Sequence, residues 1–339
     1  MLKQKNANNL WKMLVGAVIF AMVLSACGAQ KQKSYRVGIL TVLQTFAPAA
    51  EGFKSKMTEL GYVEGKNITY DLQYLDAVDI TAYQNISKKF VEDKVDLIFV
   101  VSTEASMEAK AAAQGTGIPV LFDMAFTDVA GINLIDSVRA PGGNITGVRF
   151  PSADIANKRL EILTEMAPNA KRIFVPYLKG YPNVPGQLEV IRKSAANLGI
   201  NLIEYGATSP DDLQAELSGL GTPDDVGVDA ILTIAEPVAL TPPFYNVLGK
   251  FAYDHKLPIG GALMNTGADY ASMFGLLPDA KTTGEQCAVL ADKIFKGTSA
   301  GTIPVVTSDS VFQIDYKATQ ALGVTVPEGL LKQADQVLK

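Results

Sequence analysis

The stretch Arg36-Val37-Gly38-Ile39-Leu40-Thr41-Val42-Leu43 is an almost continuous apolar run. Such a run is typical of a strand that is buried on both faces of a parallel sheet. The next segment, residues 47–60, has Phe53, Met57 and Leu60 at helical spacing, which predicts a helix. This strand-and-helix unit recurs along the chain, and its recurrence predicts the fold.

Strand and helix patterns alternate through the first half of the chain. Strands are predicted at residues 68–74, 95–101 and 119–122, and helices at 80–91 and 104–113. A second series after Asn144 has helices at 153–166, 187–198, 210–217 and 242–255 and strands at 172–176, 201–205, 230–235 and 258–260. Because this order requires parallel strands with right-handed crossovers, we predict an α/β protein with two doubly wound parallel-sheet lobes.

Three predicted helices end with the same pattern, a leucine, a glycine and an apolar residue. The three ends are Leu60-Gly61-Tyr62, Leu198-Gly199-Ile200 and Leu322-Gly323-Val324. Glycine can adopt the left-handed conformation that closes a helix, and the next residue then packs on the last turn. The repetition indicates α/β architecture and carries no function by itself.

Three crossings of the chain are predicted to join the lobes as a multi-strand hinge beside a ligand cleft. The first is placed in residues 139–148, where Pro141 and two glycines break any element. The others are placed near residues 265–272 and 304–314. The N-terminal lobe is thus predicted to comprise residues 35–145 plus about 271–303, and the C-terminal lobe residues 146–270 plus about 304–339.

The composition excludes several classes of protein. The 339 residues are 48% hydrophobic and 19% charged, which is a globular balance for a chain of about two domains. The net charge of -5 argues against a nucleic-acid partner. Two cysteines cannot form a disulfide scaffold, and the single histidine, His255, leaves little room for a metal site or a catalytic triad.

The N-terminus has the features of a lipoprotein signal peptide. Three lysines precede the uncharged apolar run at residues 13–24, which is too short to span a bilayer. It ends in Leu24-Ser25-Ala26-Cys27-Gly28, the pattern of a bacterial lipobox. Cleavage before Cys27 would remove residues 1–26, change the net charge from -5 to -8 and leave residues 27–34 as a lipid-anchored tether. The alternative is a plain signal peptide with an incidental cysteine.

Ligands of open parallel sheets bind beyond the carboxyl ends of the strands, so the turns that follow the strands supply the candidate site residues. In the first lobe these are Gln44, Thr45 and Phe46 after the first strand, Ser102 and Thr103 after the third, and Phe126, Thr127 and Asp128 after the fourth. Ser102 or Thr103 could cap a helix alone, or could also contact a ligand.

In the second lobe the candidates are Tyr177, Lys179, Tyr181, Glu236 and, beside the second crossing, Asn265. The two tyrosines could cover an apolar or aromatic ligand, although exposed tyrosines are common in loops. Glu236 follows an uncharged strand and could meet a ligand ammonium group, or it could be a solvated loop carboxylate.

Enzyme signatures are missing from the sequence. It contains no G-x-S-x-G elbow, no phosphate-binding loop and no G-x-G-x-x-G after the first strand. Cys287 stands alone in a helical pattern and is expected to be a small buried hydrophobe. We therefore expect no catalysis, no cofactor and no metal.

Several motifs together resemble a known family. They are Gly52-Phe53, Leu60-Gly61-Tyr62-Val63-Glu64-Gly65-Lys66-Asn67, Val95-Asp96-Leu97-Ile98, Ile118-Pro119-Val120, Pro141-Gly142-Gly143-Asn144-Ile145-Thr146-Gly147-Val148 and Pro168-Asn169-Ala170-Lys171-Arg172-Ile173. Across residues 35–327 the chain resembles the tryptophan/tyrosine-type ABC transporter substrate-binding lipoproteins, which have the type I periplasmic-binding-protein fold. Thr103 matches the family's threonine after the third strand.

The ligand turns differ from the family pattern. Asp128-Val129 stands where the family has Asp-Pro, Tyr177-Leu178-Lys179 where it has Tyr-Asn-Pro, and Glu236-Pro237 where it has Asp-Asn. The resemblance therefore implies the fold more firmly than it implies an amino-acid ligand.

The resemblance implies a monomeric solute-binding protein that captures a small molecule, either an amino acid or another small polar or aromatic solute. The protein would be anchored by lipid on Cys27 to the outer face of the cytoplasmic membrane, and it would deliver its ligand to an ABC permease. One alternative is a ligand sensor that signals through a membrane partner without transport. A surface hydrolase is a further alternative.

Overall fold

The structure is a computed structural model that describes residues 33–127, 132–222, 225–265 and 269–339. Its strands are β1 (Tyr35–Val42), β2 (Ile68–Leu75), β3 (Leu97–Val101), β4 (Val120–Ala125), β5 (Ile145–Arg149), β6 (Arg172–Leu178), β7 (Asn201–Ala207), β8 (Ala230–Leu232), β9 (Ile259–Gly260), β10 (Phe274–Leu277), β11 (Val306–Thr307), β12 (Val311–Asp315) and β13 (Gln336–Leu338).

Helices alternate with these strands for most of the chain. They are α1 (Leu43–Phe46), α2 (Pro48–Glu59), α3 (Ile80–Glu92), α4 (Thr103–Ala113), α5 (Ser152–Met166), α6 (Val184–Leu198), α7 (Pro210–Gly219), α8 (Pro237–Leu240), α9 (Pro242–Asp254), α10 (Ala280–Phe295), α11 (Tyr316–Ala321) and α12 (Glu328–Gln333). Within the described ranges, no helix is both long and apolar enough to cross a membrane.

The first lobe is built on a parallel sheet with the strand order β11-β5-β4-β3-β1-β2. All residues of β3 and β4 are buried, because helices cover both faces of the sheet centre. On the edge strand β2, exposed residues appear between partly buried ones. The predicted α/β class and parallel sheet are confirmed.

The second lobe combines parallel and antiparallel pairs. Its order β7-β6-β8-β9 is parallel, and main-chain hydrogen bonds such as Met273 N–H to Ile259 O (2.8 Å) continue it onto β10. Strand β12 then runs antiparallel to β10, and β13 parallel to β12. The chain leaves this lobe at the end of β10 and re-enters it at the start of β12, both beside the cleft, so the two strands must run in opposite directions.

The three leucine-glycine helix ends have the predicted geometry. Gly61, Gly199 and Gly323 have φ of 94°, 65° and 73°. In each case the N–H of the following apolar residue donates to a carbonyl five residues earlier, at 2.9 Å for Tyr62 and Ile200 and 2.8 Å for Val324. The left-handed glycine thus satisfies a carbonyl that the helix end would leave without a partner.

The first two crossings lie later in the chain than the sequence predicted, and the third lies within the predicted segment. Strand β5 pairs with β4, so the first crossing follows Arg149 rather than residue 145. Strand β10 belongs to the second sheet, which moves the second crossing from residues 265–272 to the segment between Leu277 and Ala280. The third crossing lies between β11 and β12, inside the predicted segment 304–314. Strand β11 pairs with β5, so the first lobe extends beyond its predicted end at residue 303. A short apolar segment is compatible with either sheet on composition alone, so the strand that it pairs with is needed to assign it to a lobe.

Helix α10 returns to the first lobe and packs on α2 and β4. Its Thr283 hydroxyl donates to Asp123 Oδ2 at 2.9 Å, and Cys287, buried as expected, contacts the Phe122 carbonyl at 3.5 Å. Burial raises the pKa of Asp123 to about 8 and the pKa of the Cys287 thiol well above its ordinary value. Burial thus favours the protonated forms of both groups where α10 packs on β4.

Two glycines allow the backbones of α2 and α10 to approach closely. A Cβ atom at Gly52 would clash with the Lys281 carbonyl oxygen, and one at Gly284 would clash with the Ala49 carbonyl oxygen. Both obstacles are backbone atoms, which cannot move aside as a flexible side chain can. The absence of a side chain at these positions is therefore a packing requirement.

We expect Gly52→Ala and Gly284→Ala each to lower the free energy of unfolding by about 1–3 kcal/mol, because the added methyl group overpacks the helix crossing. Urea denaturation of the full chain in mild detergent measures this change. Gly186→Ala is the matched control, since Gly186 also lies in a helix but has open space around its Cβ position. Its stability should stay the same or rise by up to about 1 kcal/mol. Equal losses in all three variants would contradict the packing argument.

Candidate functional site

A cavity lies between the two lobes where the carboxyl ends of their strands face each other. The first lobe contributes turns after β1, β3 and β4, and the second lobe contributes Tyr181 and the segment around α8. Phe150 and Leu277, at the first two crossings, complete the wall. The volume of about 50 Å³ holds only a few water molecules, so the lobes are closed on each other.

Backbone strain is concentrated at this cavity. Leu43, Ser102 and Met124 all line it, and all have positive φ, of 58°, 91° and 52°. A positive φ is unfavourable for a residue with a side chain, and most of all for a bulky one. Strained residues cluster where a site requires a particular geometry, which supports a functional role for the cavity.

The sequence left open whether Ser102 or Thr103 caps a helix, and the structure gives the two hydroxyl groups different partners. Ser102 caps α4, because its Oγ accepts the Ala105 N–H at 3.4 Å. Thr103 Oγ1 instead accepts the Phe126 N–H at 2.9 Å and so ties the turn after β3 to the turn after β4. Both residues line the cavity, and the Thr103 hydroxyl keeps its own hydrogen to donate.

Aromatic and aliphatic side chains form most of the wall. Phe46 and Phe126, both candidates from the sequence, line the cavity. The centroid of the Phe126 ring lies 5.5 Å from that of Phe150. Pro237 and Leu240 face them from the second lobe. Thr127 is not part of the wall, and Asp128 lies outside the described residues. The wall therefore offers an apolar surface to a ligand, which the cavity can hold only when the lobes lie further apart than in this structure.

Tyr181 contributes the contact that joins the lobes across the cavity. Its hydroxyl donates to Glu104 Oε1 at 2.8 Å, from the β6–α6 turn of one lobe to the first turn of α4 in the other. Burial and the nearby Glu104 carboxylate raise the pKa of Tyr181 well above its ordinary value, so the phenol stays protonated. Of the two predicted tyrosines, only Tyr181 lines the cavity.

Tyr177 and Lys179 do not line the cavity. Strand β6 continues to Leu178, so Tyr177 is a strand residue whose ring covers Gly206 of β7. Lys179 extends the same pairing, with its N–H donating to the Ala207 carbonyl at 2.8 Å. The predicted strand ended at residue 176, whereas in the structure both residues belong to the β6–β7 pairing and have side-chain atoms beside Gly206.

Glu236 is neither a solvated carboxylate nor a residue of the cavity wall. It is buried, with Oε2 accepting the Leu178 N–H at 2.7 Å and Oε1 accepting the Val238 N–H at 3.0 Å. Burial raises its pKa to about 8, against the opposing effect of these N–H groups. Its role is to cap α8 and hold the turn after β6.

Three other predicted residues lie together at a wider opening between the lobes. Gln44, Thr45 and Asn265 line a cavity of about 730 Å³. Gln44 and Thr45 are next in sequence to Leu43 and Phe46, which line the smaller cavity. Gln44 Oε1 accepts the Tyr74 hydroxyl at 3.2 Å, and Asn265 has a positive φ of 54°. These residues are placed at the mouth of the cleft rather than in its interior.

Sequence reasoning missed several residues of the wall. Glu104 follows Thr103 in the same turn and could have been found by its helix position, where acidic residues are favoured. Phe150 and Leu277 were missed because the predicted crossings were displaced. In the described residues, no group of three His, Cys, Asp or Glu side chains could hold a metal ion.

The Thr103 contact gives a test of the site geometry. Thr103→Ala should lower the free energy of unfolding by about 1–3 kcal/mol, because the buried Phe126 N–H loses its acceptor. Thr103→Ser is the matched control and should retain most of the stability, since it keeps the hydroxyl. Chemical denaturation of the full chain measures both. A Ser variant as unstable as the Ala variant would show that the methyl group, and not the hydrogen bond, is what matters.

Comparisons with known proteins agree with this architecture. A curated "Tyrosine-binding protein" from Clostridioides difficile (strain R20291) is 29% identical over 294 residues, covering 83% of this chain and 78% of that protein. A solved Streptococcus pneumonia ABC domain in complex with L-Trp has a TM-score of 0.77 at 22% identity, with 90% of this chain and 100% of that chain covered. A ligand-free, open substrate-binding protein with adhesive properties from Clostridium difficile has a TM-score of 0.70 at 26% identity, with 90% and 99% covered.

The match to a protein family extends over nearly the whole described chain. Residues 37–338 match the family described as ABC transporter substrate binding protein. This range includes both sheets, all three crossings and every residue of the cavity wall. The chain therefore belongs to the ABC transporter substrate-binding protein family, as its resemblance in sequence implied.

Proposed function

We propose that the protein is the lipid-anchored binding subunit of an ABC importer and that its ligand is an amino acid with an aromatic or large apolar side chain. The observation that carries this proposal is the mainly apolar cavity between the lobes at the carboxyl ends of the strands. The relatives described as tyrosine-binding and as a complex with L-Trp support the ligand class.

The cavity offers different surroundings to the two ends of such a ligand. Phe46, Phe126 and Leu240 provide an apolar surface for the side chain. The Thr103 hydroxyl and the first turn of α4 provide hydrogen-bond donors for the carboxylate. One ligand can therefore be held by both lobes at once, which favours closure around it.

Capture requires the lobes to separate and close. An amino acid is larger than the few water molecules that a volume of about 50 Å³ holds, so it cannot enter the closed cleft. Separation about the three crossings would open the cavity, and closure would exclude water from the ligand. Binding of this kind needs no covalent step, in agreement with a family of binding proteins rather than of enzymes.

Membership of the family supports delivery of the ligand to a permease. Substrate-binding proteins of ABC transporters work outside the cytoplasm and present their ligand to a permease. A lipid on Cys27 would keep the protein near that permease, and residues 28–34, which are polar, would serve as the tether. Cys27 lies outside the described residues, so the anchor rests on the sequence pattern alone.

Isothermal titration of the full chain in mild detergent, refolded to remove carried ligand, tests the ligand class. We expect L-tyrosine, L-tryptophan or L-phenylalanine to bind with a dissociation constant of roughly 1 μM or lower, equivalent to about -8 kcal/mol. Ribose, myo-inositol and uridine serve as controls and should show no binding, because the cavity wall has few groups to pair with sugar hydroxyls. Binding of a sugar or nucleoside without any amino acid would overturn the proposed ligand class.

Cys27→Ser tests the lipid anchor. In the bacterial host this variant should no longer incorporate radiolabelled palmitate and should leave the membrane fraction, because only a cysteine at this position can be acylated on sulfur. Cys287→Ala is the matched control and should stay labelled and membrane-bound, since Cys287 is a buried thiol of the first lobe. Labelling that persists in Cys27→Ser would show that the lipobox assignment is wrong.

A further inference from the structure

Glu104 is the one charged side chain among the described residues that line the cavity between the lobes. It occupies the second position of α4, after Thr103. The other wall residues are apolar or carry uncharged polar groups. Glu104 is partly exposed, and a cation placed beside it among these apolar neighbours would stabilise its charge.

The hydrogen bonding of Glu104 leaves half of its carboxylate available. Oε1 accepts the Tyr181 hydroxyl at 2.8 Å, and within the described part of the chain neither a cationic side chain nor another hydrogen-bond donor pairs with Oε2. The Tyr181 hydroxyl is neutral, so it fixes the orientation of the carboxylate without cancelling its charge. The N-terminal end of α4 favours this negative charge but supplies no mobile counter-ion.

We propose that Glu104 selects ligands that carry a protonated amine, which binds Oε2 while the Tyr181 hydroxyl positions Oε1 from the opposite lobe. This inference rests on the proposed function and makes it more specific. The ligand would have an ammonium group at one end and an apolar body among Phe46, Phe126 and Leu240. Carboxylic acids that lack the amine would be rejected, because they leave the Glu104 charge without a partner.

Binding of an amine would give the one charged side chain of this mainly apolar wall a function. Tyr181 and Glu104 belong to different lobes, so the carboxylate is correctly placed only when the cleft is closed. The amine site would then be completed by closure, and the same contact would contribute to closure and to selectivity. Tyr181 is in this sense a positioning residue, and Glu104 is the residue that contacts the ligand.

Matched ligand pairs test the proposal by isothermal titration of the full chain in mild detergent. The pairs are L-tyrosine with 3-(4-hydroxyphenyl)propanoate and L-tryptophan with indole-3-propanoate, which differ only in the amine. In the wild type we expect the amine-free acid to bind about 10- to 100-fold more weakly than the amino acid, which is the loss in affinity expected when a hydrogen bond to a charged group is removed. In Glu104→Gln we expect the amino acid to bind about 10- to 100-fold more weakly and the amine-free acid to be unaffected or tighter.

Two further variants separate ligand recognition from closure and from folding. Tyr181→Phe removes the hydrogen bond between the lobes but leaves the Glu104 carboxylate. It should therefore lower the affinity for both ligands of a pair by a similar factor. Glu108→Gln, one turn further along α4 and outside the cavity wall, should leave all affinities unchanged. Melting temperatures of all variants identify any that fail to fold.

The outcomes distinguish this inference from the proposed function. If an amine-free acid binds as tightly as its amino acid, or if Glu104→Gln weakens both equally, the selectivity role of Glu104 is wrong while amino-acid binding stands. If the wild type binds none of the amino acids, the proposed function fails and the inference fails with it. Selective loss of amine-bearing ligands in Glu104→Gln alone supports the inference.

Discussion

The architecture depends on helix α10, which completes the first lobe although the chain reaches it only after building most of the second. Gly52 and Gly284 allow α10 to lie directly against the backbone of α2, and Thr283 reaches the buried Asp123 of β4. Because the first lobe requires a helix from the far part of the chain, the polypeptide must cross between lobes after β5, after β10 and after β11. A hinge of three segments is the consequence of this one packing requirement.

The same topology brings the turn residues of both lobes together at the cleft. Parallel strands end at one edge of each sheet, so their turns converge where the lobes meet. Leu43, Ser102 and Met124 hold strained backbone there, at a cost that the buried sheets behind them can offset. The result is a closed, mainly apolar cavity with a few oriented polar groups. The Glu104 carboxylate is the single charged group among the described residues of its wall.

Five residues that the sequence proposed for the site line the cavity, because the turns after parallel strands converge there: Phe46, Ser102, Thr103, Phe126 and Tyr181. Tyr177 and Lys179 lie outside its wall because β6 is longer than the predicted strand. Glu236 lies outside it as well, with backbone N–H groups bound to both of its oxygens. The residue at which a strand ends, and the donors that a carboxylate binds, both depend on partners that are distant in sequence.

The sequence by itself determined the α/β class, the alternation of helices and strands and the glycine-closed helix ends, because these depend on the periodicity of neighbouring residues and on local backbone freedom. The family could also be recognised from its motifs. Only the tertiary structure decided which lobe β5, β10 and β11 join, and which turn residues face the cavity. It also brought Glu104 and Tyr181 together from separate lobes, since contacts between distant segments depend on how the whole chain packs and leave no periodic signal in the sequence.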